Sequence, residues 1–297
     1  MKNKIYNIAK NILYLQHGLS GRISSDKDCP SCLGGEKKVI DSKFLHKLHE
    51  CQNCGLLYRY PKDSPIALEK FYQRAYSQSG LTTDLPSAED LKTLKKKRFK
   101  GTPKDFSRGI KVLKALKVSR NKKILDFGAN WGYGLWQLRI DGYRNVEGFE
   151  LSIPRAAFSE KLGVLVSSQE KELNPPYDVV FSSHVIEHTA NPAEIISKQV
   201  GFLKPKGGWI FGFCPHGSSN YRESNFNAFH KSWGRVHPNL PTVGFFRWAF
   251  SGHPCFVSGT SGRFLEKLND WNQLESFIEE PHGSEIFFAV LVDKQMI

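Results

Sequence analysis

From residue 122 onward the chain alternates short apolar runs with segments whose apolar side chains recur at every third or fourth position. The first pattern predicts strands and the second amphipathic helices. Strands are expected at 123–127, 145–149, 163–167, 178–183 and 208–213, and helices at 133–141, 154–162 and 192–203. Asn191-Pro192 reads as a cap and first turn, and Pro205-Lys206-Gly207-Gly208 as the turn into the fifth strand. Arg263 to Asn269 predicts a late helix, and Leu274–Ile278 and Glu285–Asp293 predict two closing strands. This alternation implies an α/β architecture: a mostly parallel, seven-stranded sheet with helices on both faces.

The part before residue 122 reads differently. Ile5, Ile8, Ile12 and Leu15 share helical spacing and predict a packing helix within 1–27. The cluster Tyr60-Pro61-Lys62-Asp63-Ser64-Pro65 marks a boundary. Ser64 there caps a helix that begins at Pro65 and buries Ala67, Leu68, Phe71 and Tyr72. Gly80 to Ser87 reads as a loop, and Ile110, Leu113 and Leu116 as one face of a lysine-rich helix. The expected organisation is an N-terminal helix (1–27), a cysteine-bearing module (28–60), a helical lead-in (61–121) and a main domain (122–297) with an aromatic-rich insertion at 214–257.

Cysteine spacing sharpens the second of these segments. Cys29-Pro30-Ser31-Cys32 and Cys51-Gln52-Asn53-Cys54 are two C-x-x-C knuckles separated by 18 residues. Each tight turn aims two thiolates at one point, the arrangement a tetrahedral zinc ion takes. Four thiolates close the coordination shell, so this metal is expected to be structural. Cys214 and Cys255 have no such partners and read as small buried residues.

With 297 residues, 40% hydrophobic and 24% charged, the chain suits a soluble globular protein with room for a sizeable core. No run approaches the ~18 apolar residues of a membrane-spanning helix. Lys10 and neighbouring polar residues interrupt the N-terminal apolar positions, so no secretory signal is read there, and a cytoplasmic location is expected. The net charge is +13, with much of the excess between Lys92 and Lys123. That balance favours anionic partners, or simply makes a solvated helical face.

The candidate chemistry starts at Lys123-Ile124-Leu125-Asp126-Phe127-Gly128-Ala129-Asn130-Trp131-Gly132-Tyr133-Gly134, a strand, a glycine turn and a helix start. Glycines there let backbone approach a ligand, and the helix N-terminus adds unpaired N–H groups. Glu150 ends the next strand 16 residues after Gly134, near the spacing of a ribose-binding acid. Asp126 to Gly132 resembles the first motif of class I S-adenosylmethionine-dependent methyltransferases. Tyr177-Asp178-Val179-Val180-Phe181-Ser182-Ser183-His184-Val185-Ile186-Glu187-His188 resembles their fourth motif, and Leu203 to Gly208 the turn before their fifth strand. The paired knuckles with Gly55-Leu56-Leu57-Tyr58 look like the zinc-binding preface of a bacterial subset that often modifies sugars or other small metabolites.

The resemblance implies a Rossmann-like fold, S-adenosylmethionine as methyl donor and methyl transfer as the activity. It implies that Asp126, Gly128, Asn130, Gly132 and Glu150 hold the cofactor, with Ser168 and Gln169 beside adenine. Asn130 replaces the usual middle glycine, and asparagine tolerates a left-handed backbone. After the fourth strand, His184 is the first candidate for a general base. Glu187 and His188 follow at i+3 and i+4; base, structural pair and divalent-metal ligand are all open readings for this trio. His216, just past the fifth strand, is a second candidate base. Asn174-Pro175-Pro176-Tyr177 has the letters of an adenine-N6 methyltransferase motif, but it precedes the fourth strand and reads as a rigid turn.

The aromatics of 214–257 read either as a lid that stacks on the acceptor or as an auxiliary packing layer. The expected function is methyl transfer to a small molecule, anionic acceptors included, such as a nucleotide-linked or other sugar, a glycan or a secondary metabolite. The alternative is RNA methylation, with the zinc module and the Lys92–Lys123 region gripping phosphates. A non-catalytic module with a vestigial cofactor loop is the third reading.

Overall fold

The computed structural model describes residues 27–68 and 85–293. The expected N-terminal helix, Phe71, Tyr72 and most of the Gly80–Ser87 loop lie outside them. Leading strands are β1 (Lys37–Lys43), β2 (His46–Cys51) and β3 (Leu57–Tyr60), followed by helices α1 (Ala88–Lys96) and α2 (Ser107–Ala115). Then come β4 (Ile124–Phe127), α3 (Tyr133–Ile140), β5 (Val146–Phe149), α4 (Ile153–Phe158), β6 (Val166–Ser167), β7 (Val179–Ser183), α5 (Pro192–Phe202) and β8 (Gly208–Pro215). The chain continues through α6 (Ser219–Ser224), α7 (Phe226–Ser232), β9 (Asn239–Leu240), α8 (Val243–Ala249), β10 (Cys255–Gly259), α9 (Phe264–Asp270), β11 (Phe277–Ile278) and β12 (Glu285–Val292).

Among the described residues the large sheet has eight strands, in the order β11-β10-β12-β8-β7-β4-β5-β6. Strands β6, β5, β4, β7 and β8 run parallel, while β12 lies antiparallel to both β8 and β10. The sequence reading expected seven strands; β10 is the addition, inserted between β12 and the short parallel strand β11. Its Cys255-Phe256-Val257-Ser258 run is buried on both faces, so it shows no alternation to separate it from the aromatic stretch before it.

Side chains alternate between two cores. Phe181, Phe211 and Phe287 face α2, α3 and α9, whose Val112, Leu113, Leu135 and Leu268 join them. Val180, Ile210 and Phe288 face the other way, toward Ile196 of α5 and Phe245 and Phe246 of α8. Cys29, Cys51, Cys54 and Leu56 belong to this second core, so the cysteine segment packs directly on the sheet's far layer. The predicted caps are in place: Asn191 accepts from the Glu194 N–H at 3.2 Å and Ser64 from that of Ala67 at 3.2 Å.

The insertion is not an irregular loop. It contributes β9, which pairs antiparallel with β3 and completes a four-stranded sheet β1-β2-β3-β9. Arg59 N–H donates to Pro238 O at 2.7 Å, and Thr242 Oγ1 donates to Gly55 O at 2.8 Å. Its aromatics mostly serve packing: Tyr221, Phe229, Trp233, Phe245 and Phe246 are buried, and Trp233 Nε1 donates to Asp41 of β1 at 2.7 Å. Of the two readings of this segment, the packing layer describes these residues.

Candidate active site and metal centre

The sheet order reverses at β4, with β5 and β6 on one side and β7 and β8 on the other. In open α/β sheets, ligands bind outside the carboxyl ends of the strands at such a switch point. Here the loops leaving β4 and β7 touch: a Cβ on Gly128 would lie 2.3 Å from Val185 Cγ2. Gly128 and Gly132 have φ of +94° and +81°, conformations that side chains other than Asn or Asp rarely adopt. Asn130, also left-handed with φ of 54°, is the non-glycine member of the turn. Its Oδ1 accepts from its neighbour's N–H (Trp131) at 3.0 Å, a local bond that steadies the conformation.

Glu150 is pinned over this loop. Oε2 accepts from Asn130 N–H at 2.9 Å and Oε1 from Ser152 N–H at 2.8 Å. Burial raises its carboxyl above the ordinary value against the pull of Ser152, Arg155 and Asn130. Burial, and then the Glu150 charge, push Asp126 well above the ordinary range. Two carboxyl groups whose charged forms are penalised by burial, Asp126 buried and Glu150 half-buried, stand beside a bare glycine backbone and suit a ligand that brings positive charge and approaches the main chain closely. A sulfonium cofactor with an ammonium group meets both conditions. Ser168 and Gln169 follow β6, with Ser168 half-buried and Gln169 exposed.

At the end of β7, His184 takes a left-handed conformation, φ 56°, and a single 3₁₀ turn, Ile186–His188, follows. This geometry brings the trio together. His184 Nδ1 lies 3.3 Å from Glu187 Oε1, and His188 Nε2 lies 3.6 Å from the same oxygen. His184 Nε2 lies 2.9 Å from Glu285 Oε1. Glu285, at the head of β12, also forms a two-pronged pair with Arg108 of α2, at 2.6 and 2.9 Å. The Arg108 guanidinium lies 4.3 Å from the Phe213 ring centre.

Both candidate bases have their ring nitrogens engaged. His184 is half-exposed, but both ring nitrogens face carboxylates; burial lowers its pKa, and bonds to Glu187 and Glu285 outweigh that and raise it to about 10. While protonated the ring has no lone pair to take a proton, so a role as base would require release from these two carboxylates. His216 is buried with both nitrogens engaged, Nε2 at 2.6 Å from Gly283 O and Nδ1 accepting from Ser218 N–H at 3.1 Å. It braces the turn after β8, and burial lowers its pKa. Arg108, Glu285 and His237 were missed as site residues. Arg108 read as one more cation of a solvated face, and no spacing links His237 or Glu285 to the fourth motif.

Asn174-Pro175-Pro176-Tyr177 sits at the opposite, amino edge. Tyr177 Oη donates to Glu147 at 2.6 Å and Asn174 Nδ2 to the same carboxylate at 3.3 Å. These bonds give the motif the structural role the sequence position suggested.

The four knuckle cysteines converge. Cys29 and Cys54 sulfurs lie 3.6 Å apart, Cys32 and Cys51 3.4 Å apart, and all four within 4.8 Å of one another. Tetrahedral zinc with ~2.3 Å Zn–S bonds spaces its sulfurs by about 3.8 Å, so the set fits. No disulfide is present among the described cysteines, and no described helix is long and apolar enough to cross a membrane.

The chain belongs to the methyltransferase-domain family, whose model, described as "Methyltransferase domain", matches residues 100–267. It is a class I S-adenosylmethionine-dependent methyltransferase. No curated protein matches the sequence at a significant level. Similar solved structures include the plantazolicin methyltransferase BamL in complex with a triazolic desmethylPZN analog and SAH, at 14% identity, covering 78% of this chain and 100% of that one, TM-score 0.47. Magnesium protoporphyrin IX methyltransferase (ChlM) from Synechocystis PCC 6803 with bound SAH is similar at 12% identity, covering 77% and 99%, TM-score 0.48. Identities of 12–14% are too low to carry an acceptor across.

Proposed function

We propose that this methyltransferase acts on a small molecule, with nucleotide-linked or other sugars, glycans and secondary metabolites as the leading acceptors, in the reducing cytoplasm. One observation carries the reading: where the cations sit relative to the candidate site. His184, Glu187, Glu285 and Arg108 gather at the carboxyl edge of β7, and Val236 and His237 of the insertion lie against the neighbouring His188. Arg108 and Lys104, which lies over the Tyr133 ring, belong to the Lys92–Lys123 stretch and stand near this edge, but other cations of the stretch lie elsewhere. Lys122 pairs with Asp178, just ahead of β7, and Lys114 and Arg120 pair with Asp141. The five residues of β7 separate those edges by about 17 Å at ~3.3 Å per residue. A phosphate backbone gripped by Lys122 would not pass the reacting edge, which weighs against the RNA reading.

When bound, the cofactor supplies an electrophilic methyl group on a sulfonium. The residues fit it in named roles: Gly128 and Gly132 give close backbone approach, Asp126 and Glu150 offer negative charge, and Glu150 is the candidate ribose acceptor. Ser168 and Gln169 stand toward adenine. Glu187, locked in place by burial, and His184, clamped by two carboxylates, orient the acceptor; alignment is the main contribution available to the protein in a direct displacement. Cys29, Cys32, Cys51 and Cys54 would hold a structural zinc ion.

Labelled-methyl transfer into a fractionated cell extract tests this directly. Label in the small-metabolite or glycan pool is the expected result; label concentrated in nucleic acid would sink it in favour of the RNA reading.

A further inference from the structure

We propose that Glu187, His188 and His237 form a second metal site, one that takes a divalent transition-metal ion. One ligand atom from each lies within 4.8 Å of the other two. Glu187 is fully buried; its Oε1 has only the His184 and His188 ring nitrogens, at 3.3 and 3.6 Å, and its Oε2 has no hydrogen-bond partner. A buried carboxylate left in that state is costly unless a cation completes it.

The tautomers of the two histidines point the same way. His188 Nδ1 lies 2.7 Å from Val236 O, and His237 Nδ1 lies 2.7 Å from Ser232 O. A carbonyl oxygen only accepts, so each Nδ1 carries the proton, and in the neutral ring each Nε2 carries the lone pair. Anchoring one imidazole nitrogen to a carbonyl so that the other can ligate is the usual support of a metal-bound histidine. The rings stand side by side, with centres 4.7 Å apart. His184 Nδ1 also approaches Glu187 Oε1, at 3.3 Å, and leaves Oε2 facing no donor.

Two imidazoles and one carboxylate, only part of them exposed, make a donor set suited to Mn²⁺, Fe²⁺, Co²⁺ or Zn²⁺, with positions left for water or another oxygen. The site differs in kind from the four thiolates, which are soft and closed. It is also assembled across the fold: His237 directly precedes Pro238 and β9, whose pairing with β3 sets its position. If the carboxyl edge is the acceptor site proposed above, such an ion would favour acceptors that offer an oxygen ligand.

The test uses the full chain with its four-cysteine site loaded with zinc, followed by equilibrium dialysis against Co²⁺ and metal analysis. Wild type should retain one Co²⁺ beside the zinc. His237→Ala and Glu187→Gln should each weaken Co²⁺ retention about tenfold or more, with zinc content unchanged as the check that each variant is folded. Failure of wild type to retain Co²⁺, or equal retention in both variants, overturns the proposal and leaves Glu187 as a structural partner of His184. Calorimetric binding of S-adenosylmethionine on the same samples separates the two readings: cofactor binding without Co²⁺ retention removes only the metal site.

Discussion

At Gly128 the constraint is steric twice over. The φ of +94° disfavours any side chain, and a Cβ would meet Val185 at 2.3 Å. Gly128→Ala should therefore strain the loop by roughly 1–2 kcal/mol and push Val185 out of register. We expect cofactor affinity to fall at least about tenfold while zinc content stays at one per chain; calorimetry and metal analysis check both. Unchanged affinity would mean the cofactor does not approach this backbone. Glu150 offers a milder probe. Glu150→Gln keeps the bond to Asn130 N–H but loses charge, so affinity should drop about tenfold with little change in thermal unfolding. Both residues were legible in the sequence, because φ-demanding glycines and a strand-end acid leave a local signature. The state of His184 was not: its clamp needs Glu285, 101 residues away.

At the scale of elements, two contacts join distant parts of the chain. The first is β9 on β3, which sets the insertion against the cysteine segment. Because the cysteines share a core with Phe245, Phe246 and Phe288, Cys54→Ser should abolish zinc binding and also lower the stability of the main sheet by several kcal/mol. An unfolding midpoint unchanged from wild type would show that the segment is a passive attachment. The second contact is Asp178 at the amino edge. Burial raises its pKa, but the Lys123 N–H and the Lys204 and Lys122 ammoniums outweigh that and hold it below the ordinary 3.8. A depressed carboxyl stabilises the fold above its unfolded pKa, and that stability is lost as pH falls through the folded value. Asp178→Asn should thus be less stable than wild type by roughly 1–3 kcal/mol at neutral pH. The gap should close as pH drops below 3.8; a gap independent of pH in chemical unfolding would contradict the assignment.

Over the whole molecule, what could be read in advance follows the range of the interactions involved. The parallel core, the glycine loop with Glu150, the caps at Asn191 and Ser64, and the paired cysteines were all legible, since each rests on periodicity or on residues within a turn or two of one another. Strand β10 escaped because a strand buried on both faces loses its alternation among neighbouring aromatics. The aromatic insertion offered a lid and a packing layer equally, and Phe229, Trp233 and Phe245 are buried as a packing layer requires. The same holds at the opening of the chemistry. Sequence by itself determined that the chain carries a strand–glycine loop–helix turn with a strand-end acid beside it and a four-thiolate knuckle pair, because those depend on local backbone conformation and short spacings. Only the tertiary structure decided which histidines are engaged and which face a buried carboxylate. Arg108, His237, Glu285 and the His184–Glu187 turn come from separate parts of the chain, and the topology of the sheet, with no pattern along the chain linking them, brings them together.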